Sequence, residues 1–135
     1  MKFIHIIALM SCLVCSVSCS NAPYSLGSAT KAAGKLMPKD GPAEFALFNL
    51  PEPKAEPKDL LKLLRDATRG KICLAITSPK LEYIQNLLDR TMEAAKKDEQ
   101  FNGLYLIIIA EKIDAAAIDA IIKDRGIRAH YGTFK

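Results

Sequence analysis

The residue types that carry covalent or acid–base chemistry are few in this 135-residue chain. There are two histidines, His5 and His130, and four cysteines, of which Cys12, Cys15 and Cys19 crowd into the first nineteen residues. A nucleophilic mechanism needs a Ser, Thr or Cys beside a base. The nearest approach to one is Ser78 with Glu111, because both follow apolar runs and so stand where an open α/β sheet places its ligands. No histidine joins them: His130 falls inside a run and His5 belongs to the N-terminal segment. Ser78 is also what a helix N-cap requires, with Pro79 suited to the first turn, and Glu111-Lys112 reads as a solvated turn.

Other chemistries find no residues in the right pattern. Beyond Cys19 there is no CxxC or HxxxH spacing, so neither thioredoxin-type exchange nor a compact metal site is expected. The apolar runs lead into SPKLEY and EKIDAA, not into a glycine-rich phosphate loop. The expected catalytic, cofactor and metal sets are therefore empty. Cys73 lies within the apolar run KICLAIT and is expected to be a buried, inert strand residue. His130 is expected to be a half-buried polar strand residue.

The first nineteen residues, MKFIHIIALMSCLVCSVSC, have one Lys, an apolar run from Phe3 to about Val17 and then small residues, the layout of a secretory signal. Here the sequence resembles a bacterial prolipoprotein signal, in which a hydrophobic stretch leads into a cysteine that is acylated and becomes the mature N-terminus. The resemblance places lipidation at Cys19, after Ser16-Val17-Ser18. Cys12 fits the first lipobox place better through Leu9, but leaves a very short signal, and Cys15 follows Val14, which is too large. Ser20 next to Cys19, in place of Asp, implies an outer-membrane lipoprotein facing the periplasm. A plain signal-peptidase cut after Ser20-Asn21-Ala22, releasing a soluble periplasmic protein, is the alternative.

Charge and aromatic content narrow the partners. The formal net charge is +4. Without Lys2 it is 18 positive against 15 negative, or +3, and opposite signs alternate along the expected helices, where a nucleic-acid footprint needs a stripe of one sign. With no Trp, four Tyr and five Phe, stacking platforms for single strands are also lacking. No nucleic-acid partner is expected.

The elements that must position these residues begin late in the chain. Residues 19–41, rich in Pro, Gly, Ala and Ser, read as a flexible tether with an end-to-end distance of roughly 25 Å. Residues 42–57 contain a proline-bounded segment, 44–50, that suits an edge strand or an extended arm. From 58 to 135 the apolar period alternates between helix and strand: helix 58–69 capped at Gly70, strand 71–77, helix 79–98, strand 104–110, a helix opened by Asp114, and strand 127–134. LYLIIIA shows no alternation, which marks a central strand covered on both faces. Together these predict an α/β domain with a small sheet of three to four mostly parallel strands and two to three covering helices. The expectation that follows is a small envelope lipoprotein held to the membrane by a lipid. It would act as a non-enzymatic structural or docking part of a larger secretion, conjugation or cell-wall assembly, with its envelope protein partner unknown. An exported binding protein of the exclusion, immunity or inhibitor type is the alternative.

Overall fold

The computed structural model describes residues 24–42 and 44–134. In chain order the elements are α1 (Leu26–Lys35), β1 (Phe45–Asn49), α2 (Pro57–Gly70), β2 (Cys73–Thr77), α3 (Leu81–Ala94), β3 (Tyr105–Ala110), α4 (Ala115–Ile122) and β4 (Arg128–Thr133). The four strands form one parallel sheet in the order β1-β2-β3-β4. Segment 44–50 is thus an edge strand, and the α/β class and parallel pairing are as expected. Four helices cover the sheet, one more than the expected range.

The extra helix follows from the topology. Strands in sequential order joined by crossovers of one hand place all their helices on one face. Accordingly, the apolar sides of α2, α3 and α4 meet Ala46, Phe48, Leu74, Ile76, Leu106 and Ile108 in one core. The opposite face presents Leu47, Cys73, Ala75, Ile107 and Ile109, all buried, and these are covered by Leu26, Ala29 and Ala33 of α1 together with Tyr24 and Phe134. Residues 26–35 are therefore part of the domain, which corrects the reading of 19–41 as a tether. Ser25 starts the helix by accepting the Ser28 N–H at 3.1 Å, and alanine, the strongest helix former, supplies small side chains that let the helix lie close to the sheet. Gly132 serves the same close approach: a Cβ there would stand 3.0 Å from Leu36 Cδ1.

Helix ends also shift from their expected places. α2 runs through Gly70, and Lys71 takes the left-handed conformation at φ 54°, while the Ile72 N–H reaches the Ala67 carbonyl at 3.2 Å. α3 starts after Lys80, not at Pro79, because Ser78 is drawn into the sheet ladder by donating its N–H to the Ile109 carbonyl at 3.0 Å. It stops at Ala94, four residues short of the expected end, where the Arg125 guanidinium crosses over to donate to the carbonyls of Met92, Lys96 and Glu99. Asp114 caps α4 as expected, accepting from the Ala117 N–H at 3.2 Å.

Candidate functional site at the carboxyl edge of the sheet

The carboxyl ends of the strands are where an open α/β sheet places its ligands. Asn49 ends β1 and Thr77 ends β2, in register with one another. By the alternation along each strand their side chains share the α1 face with Leu47 and Ala75. There they meet Tyr24, which enters from the turn before α1. The Thr77 hydroxyl donates to Asn49 Oδ1 at 2.8 Å, the Tyr24 hydroxyl donates to the same oxygen, and Tyr24 Oη lies 3.1 Å from Thr77 Oγ1. All three residues are buried. The Tyr24 ring is held in turn by Phe134, edge to face at 4.9 Å between centroids.

Among the described residues the bonds that join these three side chains are between neutral, buried groups. Two hydroxyls converge on one amide oxygen, an arrangement that satisfies polar groups inside an apolar layer. Its effect is to lock the chain before α1 onto the ends of two strands 25 and 53 residues away. Sequence reasoning ends strands at 50 and 77, which brings Asn49 and Thr77 to the edge of the sheet, but gives no place there to Tyr24 and Phe134. The available signal was the need of two polar side chains at the ends of buried strands for partners from another element.

Ser78 is fully buried, and its Oγ accepts the Lys80 N–H at 3.3 Å. This is a local turn and not the N-cap expected from the sequence, since the helix begins one residue after Lys80. Glu111 is half-buried, while Lys112 and Thr133 are exposed. His130 is taken up elsewhere: its ring stacks on Tyr105 with centroids 4.1 Å apart and planes 12° apart. The Tyr105 hydroxyl donates to the Leu36 carbonyl at 3.1 Å, so this stack supports the end of α1. The structure thus gives Ser78 a backbone partner and His130 an aromatic one, and does not unite them.

Cys73 is buried under α1, and desolvation pushes its thiol pKa up, away from the thiolate that nucleophilic or metal-binding chemistry needs. On the far face of β4, Tyr131 donates to the Asp119 carboxylate, and burial followed by that bond raises its pKa. At the amino edge of the sheet, Arg65 grips Glu99 with two bonds of 2.7 and 2.9 Å. That bidentate contact, with the Lys96 N–H donating to the same carboxylate, holds Glu99 down at about 2. Burial accounts for the shift at Cys73, burial and the Asp119 bond for that at Tyr131, and the Arg65 contact for that at Glu99.

Among the described residues there is no group of three His, Cys, Asp or Glu placed to hold a metal ion. A surface groove of about 370 Å³ lies between Leu50, Pro53 and Ala55 and the side of α3 at Tyr83 and Arg90. Another of about 410 Å³ separates α1 from the end of β4. In the second groove the Ser28 hydroxyl bonds to the hydroxyl and carbonyl of Ser25. No helix among the described residues is long and apolar enough to cross a membrane. Cys12, Cys15 and Cys19 lie outside the described residues. Compared with known proteins, the chain matches no family model, no curated protein and no solved structure.

Proposed function

We propose that this chain is a small envelope lipoprotein, acylated at Cys19, whose α/β domain is a non-enzymatic docking part of a larger cell-envelope assembly facing the periplasm. The observation that carries the reading is the use made of the sheet's carboxyl edge. Open α/β sheets bind ligands in a crevice where the strand order reverses, and this sheet runs in sequential order without such a reversal. At its carboxyl edge Tyr24, backed by Phe134, meets the ends of β1 and β2, and Asn49, Thr77 and Ser78 use polar atoms in internal bonds, which leaves the outer surface for recognition. The lipobox-like residues before Cys19 supply the anchor.

Metabolic labelling with a fatty-acid analogue tests the anchor: Cys19→Ala should abolish labelling and move the protein out of the membrane fraction. Labelling that survives Cys19→Ala but is lost in Cys12→Ala would move the site, and loss in neither would point to the soluble secreted form. Purification of the acylated protein from membranes under mild detergent then tests the docking role. A stable large complex supports it, and a monomer or a one-to-one complex of inhibitor type contradicts it.

A further inference from the structure

With helix α1 packed on the sheet, the link between an anchor at Cys19 and the folded body is short. The first described residue, Tyr24, is fixed at the carboxyl edge of the sheet through Asn49 and Thr77. Only residues 20–23 separate it from Cys19. Five peptide units span at most about 18 Å even when fully extended. A compact body of about 110 residues is about 35 Å across. A link half as long as the body it holds does not let that body turn its opposite end to the anchor.

We propose that the acylated protein stands with the carboxyl edge of its sheet facing the lipid surface and the amino edge, with the Arg65–Glu99 pair and the Arg125 crossover, facing away from it. The proposal rests on lipidation at Cys19. The link, not charge, sets the orientation: the loops of the carboxyl edge mix Glu52, Glu56, Glu111 and Asp114 with Lys54, Lys80 and Lys112, which gives no net attraction to an anionic bilayer. The loops that precede β3 and β4 at the other end are accordingly the part of the domain open to a periplasmic partner.

The test uses full-length acylated protein in vesicles of phosphatidylethanolamine and phosphatidylglycerol that carry a nitroxide on a fraction of the headgroups. A fluorophore is placed on Lys112→Cys, beyond the end of β3, or on Lys97→Cys, before its start. Both lysines are exposed, and the buried Cys73 does not compete for label. Quenching should be several-fold stronger at 112 than at 97 and should not change with salt. Inserting about twenty Gly and Ser residues after Asn21 should bring the two positions close to equal. The mass of the mature N-terminus separates the two ways of failing. An N-terminus without lipid overturns the anchor and this orientation together. A lipidated protein with equal quenching at both positions, or an asymmetry that survives the insertion, overturns the orientation alone.

Discussion

Ile108 shows what a single residue carries in this sheet. It is fully buried in the central strand β3, paired with Ile76 on one side and Tyr131 on the other, and it faces the layer of α2, α3 and α4. A carboxylate there has neither water nor a counter-charge, so Ile108→Asp should cost several kcal/mol, comparable to the stability of the whole domain, and abolish the cooperative melt. Ile108→Val should cost only about 0.5 to 1.5 kcal/mol. Gly126 carries a different constraint. Its φ is +75°, and a Cβ would stand 2.2 Å from Asn102 Oδ1 and 3.1 Å from Asn102 Cα. Gly126→Ala should therefore lower stability by about 1 to 3 kcal/mol in denaturant titration. Lys71, left-handed without being glycine, predicts the opposite sign: Lys71→Gly should be neutral or stabilising by up to about 1 kcal/mol. The Arg65–Glu99 pair sets a pH dependence. Because Glu99 is depressed to about 2 in the folded state, against about 4.3 in an unfolded chain, its contribution is complete above about pH 5. It is then lost as pH falls toward 2. With the Arg65 side chain 42% exposed, solvent screening holds that contribution to about 1 kcal/mol. Chemical denaturation of Glu99→Gln and the parent should differ by about that much at pH 7 and converge near pH 2.

At the scale of elements, α1 is the informative piece. Its buried face consists of Leu26, Ala29 and Ala33, so little apolar area holds it, and its attachment leans on Tyr24 at one end and on Leu36 against Gly132 at the other. Ala33→Asp should release α1 while leaving the α2–α3–α4 core folded. The check is rapid tryptic cleavage at Lys31 and Lys35, with the far-ultraviolet circular dichroism reduced only by one short helix. If the variant instead unfolds as a whole, α1 is integral to the cooperative unit. This helix was illegible because its stripe is built from alanines among glycines and serines, a composition that also describes linkers, and because hydrophobic period is weak when the side chains are small. The long helices were legible for the converse reason. Leu60, Leu61 and Leu64 in α2, and Ile84, Leu87, Leu88 and Met92 in α3, bury large side chains at helical spacing.

For the whole molecule the prediction concerns where the domain begins. Limited proteolysis should leave a resistant fragment starting near Tyr24, where a chain with a 19–41 tether would be trimmed to between 42 and 57. A fragment beginning after Lys35 would remove α1 from the stable body and with it the short link on which the membrane orientation depends. The sequence by itself determined the α/β class, the central place of LYLIIIA and the burial of Cys73, since each follows from apolar period and from prolines and glycines acting within a few residues; for segment 44–50 it left an edge strand or an extended arm, and the pairing with β2 decides for the strand. It even contained the demand for a second layer. A strand without alternation must be covered on both faces, and three crossover helices of one hand cover only one. What only the tertiary structure decided was which segment meets that demand, and that Asn49, Thr77 and Tyr24 converge at the carboxyl edge. Such contacts join residues 25 to 53 positions apart, and nothing in the local spacing of either partner specifies the other; the choice is made by the free energy of covering the exposed face of the sheet.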